Sequence, residues 1–360
     1  SAASDVYKRQ DFNQFVDEVK GRIKQFLPIE YEDAQVRIEE VKKLNENYLG
    51  ITVLKENQVI APTFNLNQLY KMYQSDPEIS MGSILRSITE LVLDVPEQFN
   101  PKSITEYENA KKKLFIRVSS AEKNEEMLQN VPHQMREDLA ITYHLAIRID
   151  DIGVGSTTIT NDILKRYGIS EEQLHADAME NSPNVRPIHV MVMGSMIEQL
   201  MGMGPETILK DESVQSIAEV ISNGMGSENP MFIVTNSQTV DGAGVIFYPE
   251  VMDQIGEGFQ GNFFILPSST HETLVIPDNG AFDYKALEDM VQTINENEVA
   301  PEEQLSDHVY HYDVKDRVFE RADKFAERQK EKAAKLDKNE HTGKEQKIEH
   351  PKQKKHAMEL

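Results

Sequence analysis

The sequence predicts an α+β fold: a mixed, largely antiparallel sheet or sheets with packed helices and a disordered C-terminal tail. Three observations lead there. Helical and strand periodicities are interspersed along residues 11–314 without the regular βαβ repeat of a doubly wound fold. Several strand candidates follow one another with only turn residues between them, and connections that short join antiparallel neighbours. Beyond Lys335 apolar residues nearly vanish, so the terminal stretch cannot bury enough surface to offset its chain entropy.

Residues 1–10, SAASDVYKRQ, resemble translated sequencing-adapter read-through and are expected to be a non-native leader. Asp11 then caps a helix predicted to run to about Leu27, with Phe12, Phe15, Val19, Ile23 and Phe26 on one stripe and Pro28 as its stop. Strands are expected at Val36 to Val41, Leu49 to Leu54 and Val59 to Ala61, separated by turn residues. Helices follow near Leu66 to Tyr73 and Ile84 to Leu93, and Ser103 with Glu106 predicts a capping box opening another. Leu114 to Ser119 reads as a strand. So does Leu139 to Ile149, where apolar Ile141, Tyr143, Leu145 and Ile147 alternate with Thr142, His144 and Arg148, the pattern of a half-buried strand.

A helix pair is predicted at Asp162 to Tyr167 and Glu171 to Asn181, with Gly168 between them and Ser170 capping the second. Residues 188–226 are rich in Met and Gly; Met191, Met193, Met196, Met201 and Met203 are expected on a loosely packed core helix, the alternative being an adaptable partner groove. Met231 to Val234, Val245 to Phe247, Phe263 to Leu266 and Leu274 to Ile276 are short apolar runs, as in strands buried on both faces. A helix with Pro249 in its first turn lies between the second and third, and another carries Leu287, Met290, Val291 and Ile294. A last strand near His308 to Val314 is expected to end the folded part. The division expected is residues 11–120 as an N-terminal α+β part and 121–314 as a C-terminal one, possible as one continuous domain. Residues 315–360 are expected to be a charged helix fraying into the tail.

Charge and composition exclude several classes. Residues 315–360 hold 14 Lys+Arg against 10 Asp+Glu, so the whole-chain net of −23 becomes −27 on residues 1–314. A body that acidic repels phosphate backbones, which disfavours nucleic-acid binding through it. Cysteine is absent, which removes disulfides, thiolate metal sites and cysteine nucleophiles. No apolar run is long enough to span a membrane and no signal-peptide core stands near the start, so no membrane association and a cytoplasmic location are expected.

The motifs divide by context. Gly256-Glu257-Gly258-Phe259-Gln260-Gly261 matches a dinucleotide string, but a helix precedes it and a strand follows, the reverse of the order that places pyrophosphate on a helix N-terminus; a flexible helix stop is expected. Gly153-Val154-Gly155-Ser156-Thr157 lacks the lysine of a phosphate loop and is expected to be a turn. No cofactor is expected. His308 and His311 fall on opposite faces of a strand; with Asp313 the second gives at most two ligands, short of a zinc site, so exposed polar positions and no metal are expected.

Pro267-Ser268-Ser269-Thr270-His271-Glu272 gathers hydroxyls, an imidazole and a carboxylate between two apolar runs. Ser268, Ser269, His271 and Glu272 are therefore the candidate binding residues. A catalytic alternative makes one serine a nucleophile with His271 as its base. On an extended segment Ser269 and His271 share a face while Glu272 points away and cannot orient the imidazole. A structural loop, its hydroxyls bonded to nearby backbone, is the third reading.

Several stretches carry a family resemblance: Val131-Pro132-His133, Tyr167-Gly168-Ile169-Ser170-Glu171-Glu172-Gln173-Leu174, Glu180-Asn181-Ser182-Pro183, Phe247-Tyr248-Pro249, Ile265 through Glu272, and Leu305-Ser306-Asp307-His308-Val309-Tyr310. Together, and in this order, they resemble the domain of unknown function 5688 family over roughly residues 11–314. The resemblance implies an origin in anaerobic Gram-positive bacteria and brings no activity or catalytic residues with it. The Met-rich segment after Pro183 departs from the polar, helical segment usual there. The function expected is a non-catalytic intracellular protein that binds a macromolecular partner, with a hydrolase or transferase sited at Ser268–Glu272 as the alternative. Nucleic-acid contact through the tail, at Lys352, Lys354 and Lys355, is a third.

Overall fold

A computed structural model describes residues 11–43, 46–56, 61–94, 102–150, 153–193, 216–226, 230–267 and 269–345. The chain forms two compact units, Ser1–Gln134 with Ala140–Val185, and Met135–Leu139 with Arg186–Leu360. Helices and antiparallel sheets are interspersed in both, which is the α+β class.

The first unit begins with helix α1 (Phe12–Arg22), whose Asp11 carboxylate and Gln14 amide close a capping box, followed by a 3-10 turn to Phe26. Strands β1 (Gln35–Lys43) and β2 (Glu46–Leu54) pair antiparallel from Gln35↔Leu54 to Lys43↔Glu46, and β3 (Thr63–Asn65) joins β2. Of the third predicted strand, residues 59 and 60 lie outside the described residues. Helices α2 (Leu66–Ser75) and α3 (Met81–Leu93) complete this layer. Ile84, Leu85, Ile88 and Val92 recur at helical spacing on α3 and pack with Phe15, Val19, Ile51 and Val53 into one apolar cluster.

The expected capping box at Ser103 does not form. Ser103 lies inside a short helix, α4 (Lys102–Thr105), and Glu106 precedes the next, α5 (Tyr107–Ala110), with no side-chain cap. Then come β4 (Leu114–Ser120), α6 (Glu125–Leu128), β5 (His133–Arg136), β6 (Leu139–Asp150) and β7 (Gly153–Thr158), a sheet ordered β4-β6-β5 with β7 on β6. The glycine-rich stretch at 153 is thus strand rather than turn. Strand β6 is also not half-buried, because Thr142 and His144 are as buried as Ile141 and Tyr143. Both polar side chains are satisfied locally: His144 Nε2 meets Thr142 Oγ1 at 3.0 Å and its Nδ1 meets Thr158 Oγ1 at 3.3 Å. Helix α7 (Asn161–Tyr167) ends at Gly168, φ +68°, and α8 (Glu171–Val185) follows with Ser170 Oγ accepting from the Gln173 N–H. On α8, Ser182 Oγ accepts the N–H of Ile116 on β4 at 3.0 Å.

The second unit is built on a six-stranded antiparallel sheet ordered β13-β12-β10-β11-β9-β8. In chain order its elements are β8 (Ile188–Val192), α9 (Ile217–Gly224), β9 (Phe232–Asn236), α10 (Val251–Phe259), β10 (Phe263–Leu266), β11 (Thr273–Pro277), α11 (Tyr284–Asn297), β12 (Tyr310–Asp313), β13 (Val318–Arg321) and α12 (Ala322–Glu345). Leu287 and Val291 of α11 pack on Ile233, Phe264, Leu266, Leu274 and Ile276. Phe259 of α10 meets Phe232 and Phe263. With helices contributing to both groups of contacts, the central strands become continuous apolar runs.

Five expectations are revised here. Val245–Phe247 is not a strand but part of a buried 3-10 turn, Ala243–Phe247, since an apolar run alone cannot separate the two. Pro249 precedes α10 rather than opening it. Met191 lies on β8 rather than on a helix, against the apolar cluster, while Met193, directly after the strand, is helical as expected; Met196, Met201 and Met203 lie outside the described residues. The chain continues past Val314 into β13 and α12. In the dinucleotide string Gly256 and Gly258 are closely packed rather than flexible: a Cβ on Gly256 would stand 2.5 Å from Val314 Cγ2, and one on Gly258 2.5 Å from Ile221 Cβ. These two allow close packing, and the helix does stop within the string, at Gln260, φ +58°.

Candidate functional site

The hydroxyl, imidazole and carboxylate cluster predicted after Leu266 sits in the second unit, between β10 and β11. Ser268 lies outside the described residues. Ser269 and Thr270 are buried, and His271 and Glu272 are partly exposed.

The loop closes on itself. The Ser269 N–H donates to Glu272 O at 3.3 Å, and Ser269 Oγ accepts the His271 N–H at 3.0 Å. This is the local hydroxyl-to-backbone bonding that serines favour in tight turns. Thr270 N–H donates to Glu303 O at 2.7 Å.

A second turn, residues 237–242 after β9, meets the first. Gly242 N–H donates to His271 O at 3.0 Å and Ala243 N–H to Thr270 O at 3.1 Å. Thr235 Oγ1 donates to the same His271 carbonyl at 2.7 Å. Within this turn Thr239 and Asp241 adopt φ of +54° and +51°, conformations that cost free energy for residues with a Cβ. Asn236 holds them in place: its Oδ1 accepts the Gln238 N–H and its Nδ2 donates to Val240 O at 2.8 Å. The buried Arg186 guanidinium donates to that Val240 carbonyl at 2.7 Å, and Tyr248 OH donates to Arg186 O at 3.1 Å.

The imidazole of His271 is where the two turns lock. Its Nδ1 accepts the N–H of Asp241 at 3.0 Å, so Nδ1 carries a lone pair and the neutral ring is protonated at Nε2. Nε2 faces Glu303 Oε1 at 3.4 Å. Neither nitrogen presents a lone pair to Ser269. Burial raises the Glu272 carboxyl above its ordinary value, partly offset by His271 and reinforced by Glu303. The arrangement therefore holds two turns together and offers Ser269 no lone pair of the His271 ring.

The histidine pair further along the chain also differs from expectation. His311 is fully buried rather than exposed, stacked on Phe325 at 3.5 Å with Nε2 3.0 Å from Asp278 Oδ2. His308 Nδ1 meets Glu288 Oε1 at 2.8 Å. Among the described residues no group of three or more His, Asp or Glu could hold a metal ion. Nor is any helix among them long and apolar enough to cross a membrane.

Sequence reasoning missed Asp241, Gly242, Thr235 and Glu303, which complete the cluster from 30 or so residues away on either side. The one available signal was Asp241-Gly242, a turn dipeptide between the apolar runs Met231 to Val234 and Val245 to Phe247.

The family described as "Family of unknown function (DUF5688)" matches residues 12–314, most of the chain. The chain belongs to that family. No curated protein and no solved structure matches it.

Proposed function

We propose that this member of the DUF5688 family is a non-catalytic protein that binds a macromolecular partner, a protein rather than a nucleic acid. One observation carries the first half: the imidazole of His271, the candidate base for the loop serines, has both ring nitrogens committed within its own chain, to the Asp241 N–H and to Glu303. A general base needs a lone pair within hydrogen-bond reach of the proton it takes. The net charge of −27 on residues 1–314 supports the second half, since it repels phosphates and attracts basic protein surfaces.

The test is affinity capture from native lysate with the full chain, followed by reconstitution with the purified captured protein. A complex with a Kd of about 10 μM or tighter is expected. Failure of every captured protein to bind on reconstitution would overturn the proposal.

A second reading, a hydrolase or transferase at the Ser268–Glu272 loop, rests on Glu272, whose raised pKa in a half-buried setting is a property of general acids. Labelling of the chain by serine-hydrolase probes, lost in Ser269→Ala and Glu272→Gln, would establish it in place of the first.

A further inference from the structure

Among the described residues strand β8 forms one end of the six-stranded sheet and pairs with β9 alone, in the register Ile188↔Asn236 to Val192↔Phe232. Two bonds at its ends fix the hydrogen-bond phase: Ser237 N–H to Pro187 O at 2.9 Å, and Met193 N–H to Met231 O at 2.9 Å. In an antiparallel ladder bonded and non-bonded pairs alternate. Pro187, His189, Met191 and Met193 therefore turn their backbone groups to β9, while Ile188, Val190 and Val192 turn theirs outward. No backbone hydrogen bond among the described residues reaches those outward groups.

The strand's own sequence lacks the residues that protect an edge. Ile188-His189-Val190-Met191-Val192 contains no proline, lysine or carboxylate. Burial holds the His189 imidazole below its ordinary value, so the strand is uncharged at neutral pH. The contrast within the same chain is direct. Edge strand β1 carries Arg37, Glu39, Glu40 and Lys42, and β13, at the other end of the six-stranded sheet, carries Glu320 and Arg321. Beneath β8 the partner strand β9 is buried at every position, which gives an added strand a rigid template.

We propose that the outer edge of β8 receives an extended segment of a partner protein, added as a further antiparallel or parallel strand, in which apolar residues alternate with lysine or arginine. Main-chain bonds to Ile188, Val190 and Val192 supply affinity, and alternate side chains supply selectivity. Charge decides between occupants. A second copy would bring another strongly acidic body to the edge, whereas a basic segment is drawn to it. The site rests on the binding-protein reading above and gives it a location.

The probe is a fluorescent, end-blocked decapeptide alternating valine and lysine, titrated into the full chain and followed by anisotropy. Saturable binding is expected. The same peptide methylated on alternate backbone amides, and one with glutamate for lysine, should each bind at least about tenfold weaker. Val190→Pro removes an outward N–H without touching the β8–β9 bonds and should also lose about tenfold or more, a proline tolerated on an edge strand. Equal binding of the methylated peptide, which needs no variant to fold, would overturn the proposal. So would amide exchange at Val190 and Val192 in the free chain as slow as at Met191, because the edge would then be already covered. A dimer in sedimentation that Val190→Pro disperses would replace the basic partner with a second copy. A reconstituted partner that binds Val190→Pro as well as wild type would remove the edge site alone and leave the binding-protein reading standing. Serine-hydrolase labelling alongside edge-dependent peptide binding would do the opposite.

Discussion

Gly242→Ala tests whether the two locked turns form a structural clasp. Gly242 has φ −91°, which any residue can adopt, so the glycine is required by space and not by backbone conformation. An added Cβ would stand 2.2 Å from Thr235 Oγ1, 2.5 Å from His271 O and 2.7 Å from Asn236 N. Two of these three atoms are backbone and cannot rotate away, so the turns must separate. Overpacking a site of this kind costs about 1–3 kcal/mol. Separation also weakens the bonds that Gly242 N–H and Thr235 Oγ1 make to His271 O, at 3.0 and 2.7 Å. Each is worth about 0.5–1.5 kcal/mol, for a combined loss of roughly 2–6 kcal/mol. With an m-value of about 2 kcal/mol/M the urea midpoint of the second unit falls by roughly 1–3 M. Equilibrium unfolding followed by tyrosine fluorescence and circular dichroism reads this. Gly261→Ala is the control, since a Cβ there meets nothing within 4 Å. A Gly242→Ala midpoint within error of the Gly261→Ala midpoint would refute the clasp.

Three further outcomes follow from other contacts. Ser182→Ala removes the acceptor for the buried Ile116 N–H and should destabilise the first unit by about 1–3 kcal/mol, with faster exchange at the Ile116 amide. Arg328→Met should detach the start of α12: its guanidinium donates to Asp313 Oδ2 at 2.9 Å and Glu320 Oε1 at 2.7 Å, and both carboxylates are largely buried. The expected loss is about 1–3 kcal/mol, with hydrogen-exchange protection falling over residues 322–335 before β12. Glu272→Gln should stabilise the chain at pH 7 and lose that advantage in acid. The folded state raises the Glu272 pKa, so the wild-type contribution is fully present below the unfolded value and is lost as pH rises through the folded one. Urea midpoints of wild type and variant at pH 4 and pH 7 check the sign, and a larger advantage at pH 4 would contradict it.

Periodic elements were legible because their signal is local. The stripe of Ile84, Leu85, Ile88 and Val92, and that of Leu287 and Val291, each encode one buried helical face within a few turns. The hairpin of β1 and β2 was legible for the same reason. What failed was burial decided by distant partners. Thr142 and His144 read as an exposed face because nothing near them in sequence announces Thr158, which satisfies His144 from across the ladder. His311 read as an exposed strand residue because Asp278 and Phe325, its hydrogen-bond and stacking partners, lie on opposite sides of it in the chain. Polar residues can be buried wherever a partner is supplied, and that supply is a tertiary property.

The loop after Leu266 shows the same limit more sharply. Its composition was readable and pointed to chemistry, yet the role of a histidine depends on where its lone pair is directed. That direction is set by Asp241, whose left-handed backbone aims its N–H at His271 Nδ1. To serve Ser269 as a base, the ring would have to turn Nδ1 away from that N–H, leaving a partly buried donor unpaired at a cost of about 1–3 kcal/mol. Protonated Nε2 cannot take its place, because it faces Glu303 and has no lone pair to offer. The clasp and base catalysis thus require opposite states of the same nitrogen. The backbone bonds on His271 O and Thr270 O stabilise the clasp state further, and the strained φ at Thr239 and Asp241 is sustained only while those bonds hold.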